Sequence, residues 1–307
     1  MSDSLTVWMN GKYLPEEEAK ISIFDDGFTR GDAAFDAART FGGKPFQLEE
    51  HIERLFHSCD VLCLKPALSR KEFMDVALEL CEKNRPLLLR FGDFWIDFRV
   101  TRGAHRVSYS TDPTTLVLCD PIPFSERATL YRDGIRLVTP SVRRTPHWAV
   151  SPRVKTHNYL NFVLAELEVK SNSPGAWALL LDERGNLAEG ANSNVFLVRN
   201  GELLTPHEKF VLPGITRGTV IKLAKDLGIN VREIDLDMRD IYLADEVFLT
   251  STSLCVCGVS QVNGRKIRSG PFGPVTSQLL FAYSQFAGVD VREQYLRFCE
   301  FVPPSFP

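Results

Sequence analysis

The sequence predicts an α+β protein built as two α/β-type domains, and three observations carry that expectation. Hairpin signals recur, the first being Thr6–Met9 and Lys12–Leu14 around an Asn10-Gly11 turn. Runs with apolar residues at helical spacing alternate with them, such as Ile52, Leu55, Phe56, Cys59, Leu62 and Cys63. The segment 140–152, PSVRRTPHWAVSP, holds three prolines and no periodic pattern, and reads as a short interdomain loop. An N-terminal domain is therefore expected over residues 1–139 and a C-terminal domain over 153–307.

The elements follow in order. After the first hairpin, Ala33–Phe41 reads as a strand that meets Gly42-Gly43 and returns through Pro45 to Leu48. The helical run from Ile52 follows, and a second helix begins at Ser69, where Glu72 completes a capping box and Phe73, Val76, Ala77 and Leu80 face inward. Strands are expected at Trp95–Thr101, Thr115–Cys119 and Ile135–Thr139. Beyond the loop, Asn161–Lys170 reads as helix, and Trp177–Leu181, Asn194–Val198 and Glu202–Thr205 as strands. Thr219–Leu227 is an amphipathic helix closed by Gly228; Val247–Thr250 and Cys255–Val262 are strands, and Thr276–Phe286 is a late helix.

Composition excludes several classes. The chain of 307 residues is 44% hydrophobic and 24% charged with a net charge of −3, which is ordinary for a globular protein. It lacks the basic block that nucleic-acid or anionic-membrane binding would want. No stretch approaches the roughly 20 apolar residues of a bilayer span. MSDSLTVWMNGK does not look like a signal peptide. The seven cysteines form no paired framework and suit reduced thiols, so a cytoplasmic protein is expected. No G-x-S-x-G, Walker loop, G-x-G-x-x-G, C-x-x-C or H-E-x-x-H occurs, and no metal site is expected.

Three segments carry chemistry. Lys155 in RVKTHNYLNF offers an amine, which becomes a nucleophile where a desolvating pocket or a nearby cation lowers its pKa. Tyr159 lies one turn onward. Glu189 in LAEGANSNVF is a carboxylate suited to keeping a pyridine nitrogen protonated, although an isolated Glu-Gly is usually a turn. LPGITR places Pro213-Gly214 before a helix, where backbone N–H groups and the Thr216 hydroxyl make a phosphate site, although helices also start this way for capping alone. Thr250 to Ser253 add hydroxyl donors, and Arg54 in HIERL adds a fixed charge. Each signal is weak by itself. Together they fit an aldehyde cofactor that carries a phosphate and a pyridine ring.

The ordered set EHIERL, K-x-x-NYL, EGANSNVF, LPGITR and YLADEVFLTST resembles the class IV pyridoxal-phosphate aminotransferases, from about Trp8 to the GPVT segment at Gly273–Thr276. The resemblance implies two α/β domains of the fold-type IV kind and pyridoxal 5'-phosphate as cofactor. It also implies a homodimer or larger homo-oligomer. It makes Lys155 the Schiff-base lysine and proton shuttle, Glu189 the partner of the pyridine nitrogen, and Tyr159 the contact of the phenolic oxygen. Arg54, Ile215, Thr216 and Thr252 match the phosphate cup, Leu212 packs on the ring, and Asn194 belongs to the same cofactor set. An amino acid or amine donor and a 2-oxo acid acceptor are implied as substrates.

The substrate-facing positions point in two directions. Asn158-Tyr159-Leu160, Phe35 and Arg39 look like the branched-chain group, whose pattern has tyrosine and arginine where Trp95 and Asp97 stand. Val100-Thr101-Arg102-Gly103, Arg30 and Asp97 resemble the D-amino-acid and (R)-amine groups, and His105 lies near a position where D-amino-acid enzymes bind carboxylate. The expectation is a transaminase of the D-amino-acid or (R)-amine side. Arg102, Arg30 or Arg39 would hold a carboxylate, and Phe35, Trp95, Asp97 and Ser253 would complete the substrate site. The alternatives are a branched-chain L-amino-acid aminotransferase and an aminodeoxychorismate lyase.

Overall fold

The computed structural model describes residues 4–104 and 112–299, so His105 lies outside the described residues. Two compact units result. One comprises the described residues through Pro123 with Val154–Asn158; the other comprises Phe124–Arg153 and the described residues from Tyr159 onward.

The first unit contains β1 (Thr6–Met9), β2 (Lys12–Pro15), α1 (Asp26–Arg30), β3 (Ala33–Phe41), β4 (Lys44–Phe46), α2 (Leu48–Val61), α3 (Arg70–Leu88), β5 (Phe94–Thr101) and β6 (Thr115–Pro121). Its six strands form one sheet in the order β2-β1-β6-β5-β3-β4, with antiparallel pairing throughout. Side chains alternate between the two faces of a strand. Ala34, Ala38, Ile96, Phe98, Val100, Val117 and Cys119 point to one face and join Ile52, Leu55, Cys59, Phe73, Ala77 and Leu80 from α2 and α3 in a single core. The register places Phe35 opposite Arg99, Ala37 opposite Asp97 and Arg39 opposite Trp95, so these six share the other face. The expected capping box is formed: Ser69 Oγ accepts the Glu72 N–H, and Glu72 accepts the Ser69 N–H.

The second unit contains α4 (Phe124–Asp133), β7 (Ile135–Val138), α5 (Leu160–Asn172), β8 (Trp177–Leu181), β9 (Leu187–Gly190), β10 (Ser193–Arg199), β11 (Glu202–Thr205), α6 (Ile215–Asp226), β12 (Val231–Glu233), α7 (Met238–Leu243), β13 (Glu246–Ser251), β14 (Cys255–Val262), β15 (Arg265–Lys266), α8 (Pro274–Ala287) and α9 (Val291–Leu296). Its nine-stranded sheet closes on itself. β9 pairs with both β8 and β10, completing a ring through β13, β14 and β7. Closure gives each of the six ring strands a partner on both sides, while β12 and β15 remain at edges. Phe196 and Phe248, a cross-strand pair, stack with ring centroids 5.0 Å apart.

Among the described residues no helix is long and apolar enough to cross a membrane, and no group of His, Cys, Asp or Glu could hold a metal ion. All seven cysteines are free thiols.

The ring is tightest at Gly258 in β14, where an added Cβ would sit 1.4 Å from the Pro271 carbonyl oxygen. A backbone atom cannot give way as a flexible side chain can. Gly258→Ala is therefore expected to destabilise the protein by about 3 kcal/mol or more, read as a lowered urea midpoint. An unchanged midpoint would show that the Pro271 loop moves freely.

Candidate active site

In the first unit, Val154–Asn158 runs beside β3 as an extra edge. Thr156 bridges antiparallel to Ala34; the Phe35 N–H donates to Lys155 O at 3.0 Å and the His157 N–H to Ala33 O at 3.1 Å. These bonds fix Lys155 in register with Phe35, and its Nζ stands 4.3 Å from the centre of that ring. The Lys155 N–H also donates to Ser58 Oγ at 3.1 Å, and that hydroxyl donates to Arg54 O at 3.0 Å. The turn of α2 that carries Arg54 is thereby fastened to the lysine segment.

Arg54 is itself anchored. Its Nε and Nη2 donate to the two carboxylate oxygens of Asp36 at 2.7 and 2.8 Å, and His51 Nδ1 lies 2.7 Å from Asp36 Oδ1. Burial opposes the Asp36 charge, yet Arg54 and His51 hold its carboxyl well below the ordinary carboxylate range. Burial also pushes His51 down, against the pull of Asp36.

The other sequence-expected residues of this unit have distinct surroundings. Arg102 grips Asp32 with Nε and Nη2 at 2.6 and 3.1 Å and donates to the carbonyls of Leu62 and Cys63. Arg39 is buried, with Nε on Thr40 O at 3.0 Å and its guanidinium 3.9 Å from the Phe41 ring centre. Arg30 ends α1 with an exposed side chain, 3.6 Å from Asp26. Trp95 and Asp97 are half-buried on the Phe35 face. Arg99, which sequence reading passed over, binds Asp97 through Nε at 3.1 Å and Nη2 at 3.0 Å. The alternation in FWIDFRVT carried that signal, since Asp97 and Arg99 are two apart in one strand.

In the second unit, Glu189 lies in β9 opposite Asn194 of β10. Its Oε1 accepts from Arg144 Nε at 2.7 Å and its Oε2 from the Leu212 N–H at 3.0 Å. Asn194 Nδ2 donates to Leu212 O at 2.9 Å. A Cβ at Gly214 would meet Asn194 Oδ1 at 2.2 Å, so any larger residue there would have to displace the Asn194 side chain. Gly214 caps α6 with no side-chain hydrogen bond, which leaves the first helical N–H groups for an anion. Thr216 is buried in that first turn, with Leu212 and Ile215 half-buried beside it. The Thr250 hydroxyl, opposite Asn194 in β13, is buried with no hydrogen-bond partner among the described residues.

Tyr159 precedes α5, half-buried, with its ring 5.1 Å from Phe162. Thr252 is half-buried, whereas buried Ser253 is a fastening: its hydroxyl accepts from Arg127 and its carbonyl from the Tyr295 hydroxyl. Arg144, buried against Phe162 and paired with Glu189, sits in the proline-rich stretch where no periodicity distinguishes one arginine from its neighbours.

The sequence model of the family described as "Amino-transferase class IV" matches residues 33–262, a span that holds every expected site residue except Arg30. The chain belongs to the class IV aminotransferases. Members of this family use pyridoxal 5'-phosphate, and the residues present fit it: a buried carboxylate with lone pairs to spare, an uncapped helix start, an orphaned buried hydroxyl and a lysine held in register. A protein of Methanocaldococcus jannaschii described as "Putative branched-chain-amino-acid aminotransferase" is 40% identical over 281 residues, covering 90% of this chain and 94% of its own. The branched-chain-amino-acid aminotransferase of Escherichia coli K12 is 31% identical over 290 residues, covering 90% and 91%. A crystal structure of the T.th. branched-chain amino acid aminotransferase, complexed with N-(5'-phosphopyridoxyl)-L-glutamate, matches with a TM-score of 0.83 at 31% identity, covering 92% and 94%. The expected fold-type IV architecture is thus the observed one.

This class IV chain carries a pH signature at His157, two residues from Lys155. Burial first, then the nearby Arg99 charge, depress its pKa from the ordinary 6.5 to about 4. The unfolded chain therefore takes up a proton that the folded one refuses. The contribution of this site to stability is complete above about pH 6.5 and is lost as pH falls toward about 4. His157→Asn is expected to flatten, not abolish, the slope of urea midpoint against pH in that window, since burial lowers the pKa of His51 as well. An unaltered slope would contradict the assignment.

Proposed function

We propose that this class IV aminotransferase acts on branched-chain L-amino acids, with 2-oxoglutarate as acceptor, in place of the D-amino-acid or (R)-amine preference expected from FWIDFRVTRG. The observation that carries the reading is the full-length similarity to proteins named branched-chain aminotransferases, at up to 40% identity among those compared. The glutamate adduct of the T.th. enzyme supports the acceptor. The arginines offered for a D-amino-acid carboxylate support it less: Arg102 is committed to Asp32 and two carbonyls, and Arg39 is buried against Phe41. Phe35, Ala37 and Trp95 offer apolar surface for a branched side chain on a face they share with Arg39, Asp97 and Arg99.

When bound, pyridoxal 5'-phosphate supplies an electron sink for negative charge on the substrate Cα. The chain's own residues do the rest. Lys155 would hold the cofactor covalently through Nζ and would carry the substrate Cα proton. The Glu189 carboxylate, oriented by Arg144 and the Leu212 N–H, accepts the pyridine N–H. In the second unit the uncapped start of α6 and the buried Thr216 hydroxyl would receive the phosphate, and Leu212 and Tyr159 would contact the ring and its phenolic oxygen; in the first, Arg54 would supply a fixed positive charge for the phosphate. Thr250 and Thr252 offer hydroxyls to the same group. A homodimer is the assembly we infer.

Half-reactions of the cofactor-loaded enzyme, followed by cofactor absorbance, test the reading. L-Leucine and L-valine are expected to convert the cofactor at least ~100-fold faster than D-alanine or (R)-1-phenylethylamine. Fast conversion by D-alanine with a slow reaction of L-leucine would overturn it. Lys155→Ala is expected to lower turnover by about 1,000-fold or more, checked by the same assay.

A further inference from the structure

In the second unit a column of stacked rings joins α4, α9 and the loop before α8, and it ends its hydrogen bonds on the turn between β13 and β14. Phe298 stacks on Phe124 with ring centres 4.8 Å apart, and Phe124 meets Tyr295 at 4.8 Å. Tyr295 stacks on Tyr131 at 4.4 Å and Tyr131 on Phe272 at 6.3 Å. Arg292 closes the column, its guanidinium 4.8 Å from the centre of Phe272. The two middle rings are tyrosines, and both are fully buried. Phenylalanine would stack there as well, so packing does not call for the hydroxyls. Each hydroxyl donates instead to a carbonyl of the turn, Tyr295 to Ser253 O and Tyr131 to Leu254 O. Arg127, from α4, donates to the Ser253 hydroxyl.

The turn needs such fixing from outside. Thr252, Ser253 and Leu254 link Ser251 to its strand partner Cys255. Hairpin loops of this length commonly carry one left-handed residue, for which glycine is favoured. Here that residue is Cys255, at φ +56°, so the sequence does not favour the turn by itself. Two consecutive carbonyls pinned to two buried rings fix the peptide planes that follow Ser253 and Leu254. The Leu254 N–H then donates to Ser251 Oγ at 3.1 Å, and half-buried Thr252 stands immediately before the pinned pair. Resting on the reading above, which puts Thr252 in the phosphate cup, we propose that Tyr295 and Tyr131 are positioning residues for the cofactor phosphate. They act through the turn. By holding the Ser253 and Leu254 carbonyls they keep Thr252 where its hydroxyl can donate to a phosphate oxygen. A charge-assisted hydrogen bond has its full worth only when the donor is held in place beforehand, and a turn free to rock would forfeit part of it. The start of α6 offers its own N–H groups to the same phosphate, so removing a tyrosine hydroxyl is expected to weaken the hold only in part.

Pyridoxal 5'-phosphate and pyridoxal, which lacks the phosphate, read the assignment when each is titrated into the cofactor-free protein and followed by absorbance. Tyr295→Phe keeps the ring in the column and removes only the hydroxyl. It is expected to lower the affinity for pyridoxal 5'-phosphate about tenfold, the worth of one charge-assisted hydrogen bond, and to leave that for pyridoxal within about twofold. Tyr131→Phe is expected to act in the same direction. Equal losses for the two ligands, or no loss for either, would overturn the proposal, because a hydroxyl that only supports the fold cannot tell them apart. Thr252→Val separates the proposal from the reading beneath it. If Thr252→Val lowers the ratio of the two affinities and neither tyrosine variant does, the positioning role falls while Thr252 stays in the cup. If Thr252→Val leaves the ratio unchanged, both fall.

Discussion

A charge removed from water must find its opposite, and each compact unit of this chain holds a buried carboxylate bound to an arginine beside its proposed cofactor groups. Asp36 holds Arg54 in the first and Arg144 holds Glu189 in the second. Burying such pairs costs desolvation that their attraction only partly offsets, so they are poor devices for stability alone. What they give is position. Asp36 fixes the α2 turn whose Ser58 receives the Lys155 N–H, and Arg144 and the Leu212 N–H together fix both oxygens of Glu189. The amine and the carboxylate proposed for the cofactor are thus tied to buried ion pairs, the first through the Ser58 relay and the second as a member.

Strand periodicity arranges the rest. In β3 and β5 the even positions build the core against α2 and α3, and that packing cannot slip by one residue without turning apolar side chains outward. The odd positions are thereby forced to the opposite face, which Phe35, Asp97 and Arg99 share and where the Phe35 ring meets the Lys155 amine. Core and chemistry are two consequences of one alternation. The family-shared groups and the substrate-facing groups also separate here. Lys155, Glu189 and the α6 turn are the groups we propose for the cofactor, while those proposed for the substrate lie on β3 and β5.

Much of this was legible in the sequence because its signals are local. The Ala33–Phe41 alternation, the Ser69–Glu72 box and the Pro213-Gly214 helix start each need only a few neighbouring residues to be read. What was not legible depends on distant partners. LAEG reads as a turn, yet it forms β9 because β8 and β10 pair with it on either side. Ile135–Val138 precedes the proline-rich stretch but joins the sheet of the second unit through β14 and β8. Helix α4 was passed over although Phe124, Ala128 and Tyr131 repeat at helical spacing. Arg144 and Arg99 could not be ranked among many arginines until their carboxylate partners were seen. The expectation of a substrate carboxylate at Arg102 has the same origin: Arg102 stands alone in the sequence, and in the fold it binds Asp32 and the Leu62 carbonyl.

We propose that the lysine held in register with Phe35 is the one that bonds the cofactor. Borohydride reduction of the cofactor-loaded enzyme, followed by peptide mass mapping, tests it without relying on turnover. The phosphopyridoxyl group is expected on the peptide that contains Lys155. Its recovery on any other lysine would contradict the site described here.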